Sequence, residues 1–177
     1  MIEIMVVLVL LGLVVGIAVA TLGGGNLNRE LANEVNRLHA VLRMAAEEAV
    51  FTSTEIGFSI DNEGYEFLVY REDQRTWVNA DSPVLKPYAF DEWLTVDMQR
   101  EGQEKRLRYE AKPDSTEFGA EAGAQKRPAL MLLSSGEVTP FRIGLQIRDD
   151  AASRIEIVGE ASGEIRLPYL EELEAAQ

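Results

Sequence analysis

Ile4-Met5-Val6-Val7-Leu8-Val9-Leu10-Leu11-Gly12-Leu13-Val14-Val15-Gly16-Ile17-Ala18-Val19-Ala20-Thr21-Leu22 contains no charged residue. At 1.5 Å of rise per residue this stretch makes a helix of about 28 Å, close to the hydrocarbon thickness of a bilayer. Three readings compete: a cleaved secretory signal, a buried core helix and a retained transmembrane helix. A signal would account for Ala18 and Ala20 before Thr21, but it wants a positive N-terminal flank and a shorter apolar run, and the flank here offers Glu3. A core helix of a small domain would show a polar face, and this segment is apolar all round. The retained span fits best, which makes residues 1–22 a transmembrane helix.

Glu3 stands at the mouth of that helix. A carboxylate in hydrocarbon is costly and marks a site with a cationic partner. The plainer reading places it among the headgroups or at the positive end of the helix dipole, and the residues alone leave both open.

Working outward, Gly23-Gly24-Gly25 follows the apolar run directly. Each glycine costs roughly 1 kcal/mol relative to Ala inside a helix, so residues 23–27 are expected to form a kinked or unwound hinge. Helical periodicity then resumes. Leu31, Val35, Leu38, Leu42, Ala45 and Ala49 recur at spacings of four and three, while Glu30, Asn33, Arg37 and Glu47 fall elsewhere. An amphipathic helix over 28–50 follows, its apolar stripe a packing surface for its own domain. His39, the sole histidine, sits at the edge of that stripe.

Beyond Phe51 the period becomes twofold. Phe58 and Ile60 alternate with polar neighbours, Asp61-Asn62-Glu63-Gly64 is a turn, and Tyr65 to Tyr70 returns as a second strand. Leu94, Val96 and Met98 share a strand face. Leu107, Tyr109 and Ala111 share another, and Phe141, Ile143, Leu145 and Ile147 alternate cleanly. Ala129 to Leu133 is continuously apolar, which predicts a central strand buried on both faces. Ile155, Ile157, Ile165 and Leu167 complete a set of about seven or eight antiparallel strands over 55–167, enough for two packed sheets. Residues 79–88 and 112–127 lack periodicity and read as loops. Residues 168–177 end in a short acidic helix or tail. The fold class is therefore α+β: a long N-terminal helix, half transmembrane and half amphipathic, packed on an antiparallel two-sheet domain spanning 28–177.

Composition excludes several functions. With 30 acidic against 17 basic residues and a pI of 4.5, the chain lacks the Lys/Arg field that phosphate binding requires, so nucleic acid is not an expected partner. Without cysteine there is no disulfide, thiolate nucleophile or cysteine metal site. One histidine rules out a two-His metal site, and no serine lies in a nucleophile elbow. Asp61-Asn62-Glu63-Gly64 lacks the later ligands of a calcium loop. Paired carboxylates such as Glu47-Glu48 and Glu171-Glu172 point apart on helices. No enzyme, no cofactor and no metal are expected.

Ile2-Glu3-Ile4-Met5-Val6-Val7-Leu8-Val9-Leu10-Leu11-Gly12-Leu13 resembles the N-terminal motif of type IV pilins and type II secretion pseudopilins. In that family a prepilin peptidase cuts after a Gly and methylates the new N-terminal Phe of a Gly-Phe-Thr-Leu-Ile-Glu segment. Here the leader, the Gly and the Phe-Thr-Leu are absent, and Met1 stands in the place of the Leu, so the peptidase is expected to act on a leader absent from this chain. Glu3 falls on the family's glutamate. The resemblance implies that its carboxylate pairs with the N-terminal amine of a neighbouring subunit during filament assembly.

Leu132-Leu133-Ser134-Ser135-Gly136-Glu137-Val138-Thr139-Pro140-Phe141 adds a resemblance to the H-type minor pseudopilins of type II secretion, the GspH/FimT family. Together the two motifs imply a pilin-like structural subunit anchored by a single pass in the inner membrane, with its sheets in the periplasm. Its implied partners are other minor and major pseudopilins, in a filament that helps export proteins across the outer membrane. Two alternatives stay open: a minor pilin of a type IV pilus or DNA-uptake system, and a membrane-anchored periplasmic binding module.

Overall fold

The computed structural model describes residues 2–100, 107–108 and 127–175, without side chains at Ile2, 14–25, 107–108 and 172–175. One helix, α1, runs Ile2–Thr52. Ten strands follow among the described residues: β1 (Ile56–Ile60), β2 (Gly64–Arg71), β3 (Thr76–Asn79), β4 (Tyr88–Ala89), β5 (Leu94–Arg100), β6 (Leu107–Arg108), β7 (Leu130–Leu132), β8 (Phe141–Ile147), β9 (Asp150–Gly159) and β10 (Ile165–Arg166). A last helix, α2, spans Pro168–Ala175. The strands form two antiparallel sheets. Sheet A has the order β3-β2-β1-β7 with β4 also on β2, and sheet B the order β10-β9-β8-β5-β6.

The apolar stripe of α1 does what its period predicts. Leu31, Val35, Leu38, Leu42, Ala45 and Ala49 are buried against both sheets, in one core with Phe58, Phe67, Leu94, Ile143, Leu145 and Ile157. Ser53 ends the helix in the left-handed region, with φ 52°. Thr54 N–H donates to Ala49 O and Ser53 N–H to Val50 O, the paired bonds of a Schellman cap.

Three expectations are corrected or lie out of view. Helix α1 is continuous through Gly23, Gly24 and Gly25, so the unwound hinge at 23–27 does not form. Three glycines cost only a few kcal/mol in total, and long helical flanks absorb that cost cooperatively. The run Ala129 to Leu133 is an edge strand and not a central one. Leu130 and Leu132 point into the core while Met131 points out, 39% exposed. The loop at 112–127 and the strand residues Tyr109 and Ala111 lie outside the described residues, apart from Arg127. Among the described residues no helix is long and apolar enough to cross a membrane, and the side chains of residues 14–22 of the expected span lie outside them.

The two glycine turns are built alike. In one, Leu133 N–H bonds Glu137 O and Gly136 N–H bonds Leu133 O. In the other, Glu160 N–H bonds Glu164 O and Gly163 N–H bonds Glu160 O. Gly136 and Gly163 take φ of 90° and 92°, a region that side chains rarely enter. At the earlier turn, Asp61 Oδ1 accepts from Glu63 and Gly64 N–H at 2.8 and 2.9 Å, so its carboxylate serves the hairpin and not an ion.

Candidate assembly interface

Glu3 lies in the first turn of α1, exposed, where its charge complements the helix dipole. Every described side chain after it, from Ile4 to Leu13, is exposed too, including Ile4 at 66% and Val9 at 67%. An unbroken apolar surface of that length is not left to water by a finished assembly. The core of the molecule begins only at Leu31, so this run contributes nothing to it.

Further along α1, the face opposite the core presents Asn33, Asn36, Ala40, Arg43, Met44, Glu47 and Val50 to the exterior. Phe51 is 89% exposed at its end. Sequence reasoning passed over Phe51. Its signal was available, because position 51 falls about 200° around the helix from the buried Ala49.

The inner face is locked to the sheets by polar contacts as well as by packing. His39 Nε2–H donates to Ile165 O at 2.9 Å, which fixes the tautomer and ties the helix to β10. Arg37 pairs with Glu34 at 2.5 Å and stacks over the Tyr88 ring, 3.0 Å from its centroid. Tyr88 O–H donates to Glu34 at 3.2 Å. Beneath them burial pushes the Tyr65 hydroxyl above the ordinary tyrosine range, an effect that the Arg37 cation partly opposes. On the far side of sheet B, Arg154 reaches across Gly144 to Asp97, with one bond at 3.0 Å, and its own strand neighbour Glu156 binds it at 3.0 Å. Hydrogen bonding to Asp97 raises the Arg154 pKa further above its usual value, so the ion pair is fixed over any ordinary pH.

None of these groups forms a catalytic array. The histidine is spent on a backbone carbonyl, and the carboxylates serve turns and ion pairs. Among the described residues no three His, Asp or Glu side chains come together to hold a metal ion. What the geometry defines is a two-sheet domain packed on one face of a long helix whose first part is apolar and exposed.

The comparisons place that class. The family described as Type II transport protein GspH matches residues 34–163. Type II secretion system protein H of Pseudomonas aeruginosa is 30% identical over 172 residues, covering 97% of this chain and 93% of the relative. Its counterpart from Aeromonas hydrophila is 26% identical over 176 residues, covering 98% and 94%. The crystal structure of the minor pseudopilin EpsH of Vibrio cholerae shares the fold with a TM-score of 0.67 at 23% identity, over 80% of this chain and 97% of that one. The chain belongs to the GspH family and is a minor pseudopilin of the type II secretion system. The pilus alternative is thereby set aside.

Proposed function

We propose that this subunit enters the secretion pseudopilus through α1 and performs no catalysis. Its N-terminal helix anchors it by a single pass in the inner membrane, with the sheet domain in the periplasm. Glu3, in the reading carried over from the pilin motif, meets the N-terminal amine of a neighbouring pseudopilin after a prepilin peptidase has removed a leader. The observation that carries this is the unbroken exposed run behind Glu3, set against a core that is complete without it. Two faces that would be costly in water are both satisfied if the run is first in lipid and then against other helices. The outer stripe ending at Met44, Val50 and Phe51 would continue the same contact outside the membrane.

The test is export. A cell lacking its own H-type subunit is given this chain together with the partner pseudopilins of the same system. Restored export and site-specific cross-links from the Ile4–Leu13 run to other pseudopilins are expected. Export without any such cross-link would remove the helix as the assembly element.

A further inference from the structure

Phe51 sits in the last turn of α1, and the cap bonds of Ser53 and Thr54 fix the backbone that carries it. Its ring is 89% exposed, and Val50 beside it 49%. On the Val50 side the patch is closed by the turn of Gly136, where a Cβ would stand 3.7 Å from Val50 Cγ2. A large ring held in water by a rigid backbone adds nothing to its own fold, and such rings are the usual anchors of interfaces.

The surroundings of the ring are acidic. Glu47 and Glu48 lie one turn back on the same helix surface, Glu55 follows the cap, and Glu137 belongs to the Gly136 turn. Neutral hydroxyls meet two of these carboxylates, Ser82 at Glu48 (3.4 Å) and Ser135 at Glu137 (3.2 Å), while Arg43 approaches Glu47 at 3.8 Å. An apolar anchor inside a negative rim fits a socket with a positive one.

The opposite end of the domain bears the same sign. Tyr88 bonds Glu34 and lies under Arg37, so the turn at 61–64 and β4 stand beside residues 34–37 of α1, about 21 Å along the helix from Phe51. Glu63, Asp91 and Glu92 are exposed there. Asp149 and Asp150 follow Arg148 at the adjoining turn, whose Arg148 N–H donates to Trp93 O. Two copies of this chain placed end to end would set carboxylates against carboxylates.

We propose that the Phe51 end docks on a different pseudopilin, whose facing edge offers an apolar socket rimmed by lysine or arginine, and that its charge rejects a second copy of this chain. Docking of this kind rests on α1 as the assembly element, since helices laid side by side bring the Phe51 end of one subunit to the opposite end of the next. Like charges brought together at an interface are penalised strongly, so the sign of the facing edge decides which neighbour is accepted. A lipid surface is a poor occupant, because Phe51 lies about 72 Å along α1 from Glu3. Nucleic acid would be repelled by the rim.

The experiment uses cells that lack their own H-type subunit and carry the full chain with the partner pseudopilins of the same system. A photoreactive benzophenone side chain replaces the ring at position 51, and a second set of cells carries it within the 4–13 run. Light should join position 51 to another pseudopilin, identified by mass, and not to a differently tagged second copy of this chain. Glu48→Lys/Glu137→Lys should cut that product about tenfold and leave the products of the 4–13 run unchanged. Phe51→Ala, at a position too exposed to disturb the fold, should lower export with an unchanged thermal melt and intact products from the 4–13 run. Four results would each overturn the proposal while leaving the helix reading in place: a product between two copies of this chain, a product insensitive to the charge reversal, full export by Phe51→Ala, or no product from position 51 while the 4–13 run still cross-links. Loss of both sets of products would overturn both.

Discussion

Gly163 packs directly on the backbone carbonyl of Gly136, so two turns separated by a full strand pair in the chain are stacked against each other. Each closes with the same two backbone hydrogen bonds, and each glycine holds a positive φ. Gly163→Ala would therefore bring both a strained φ and a collision of its Cβ with Gly136 O. A loss of about 1–3 kcal/mol is expected, read as a lower midpoint in denaturant. Gly12→Ala is the control, since nothing lies within 4 Å of its would-be side chain. Equal effects at both positions would show that turn stacking has no energetic weight.

Ser53 offers the opposite change. It caps α1 at φ 52°, where a side chain pays a steric cost that glycine avoids. Ser53→Gly should stabilise the domain by about 0.5–1 kcal/mol with both cap bonds intact. A thermal melt of the variant checks the sign, and a lower midpoint would mean that the serine hydroxyl makes a stabilising contact that outweighs the strain.

How far the sequence revealed the structure depended on whether a residue's role is periodic. Leu31 to Ala49 was legible because a 3.6-residue period puts all six side chains on one face, and Phe141, Ile143 and Leu145 because a period of two does the same for a strand. Met131 was misread for a physical reason. Its run is apolar on both faces, yet the strand lies at the sheet edge and its outer side chain, Met131, stays 39% exposed beside Gly57. The close approach of Pro128 and Trp77 to Gly57 was invisible, since it depends on register across neighbouring strands. Thr76–Asn79 and Tyr88–Ala89 are too short to show any period. The role proposed for Glu3 comes only from the pilin-like motif, as its charge-free neighbours give it no local partner to read.

Tyr65 gives the fold an alkaline limit. Its hydroxyl is raised above the ordinary value of 10.0 chiefly by burial, so the folded state holds the proton more tightly than the unfolded chain. The associated stability is complete below pH 10 and declines as pH climbs through the folded value. Chemical denaturation between pH 8 and 11.5 should therefore show a flat profile that bends downward above about pH 10. Tyr65→Phe should lessen the bend while keeping the ring contacts with Phe58, Phe67, Tyr88 and Phe90. A wild-type profile and a variant profile of identical slope would remove Tyr65 as the source.

The portion from Asn28 onward should fold and remain soluble alone, because among the described residues the core begins at Leu31. Circular dichroism of that fragment should show mixed helix and sheet with a cooperative melt, while the full chain should resist extraction by carbonate. The fragment should also give no gel shift with duplex DNA near physiological salt, given its acidic excess. An unfolded fragment, with a full chain freed by carbonate, would mean that residues 4–22 belong to the fold and not to a membrane.

Glu3 is the residue whose alteration should separate assembly from folding. It lies 28 positions before the first core residue of α1 and is exposed in the isolated subunit, so the sheet domain has no structural means of sensing it. Its proposed partner, the N-terminal amine of a neighbour, would offset the cost of holding a carboxylate among apolar helices, and would do so in one axial register. Glu3→Gln keeps the shape and removes the charge. The variant should insert in the membrane and retain a folded sheet domain with an unchanged melt, yet cross-link to partner pseudopilins less efficiently and support less export. Glu3→Asp keeps the charge on a shorter stem and should recover part of the loss, which a purely steric role for the side chain would not allow. Should Glu3→Gln match the wild type in both cross-linking and export, Glu3 is a headgroup-level residue, and register in the filament must then come from the apolar run and from the outer stripe that ends at Phe51.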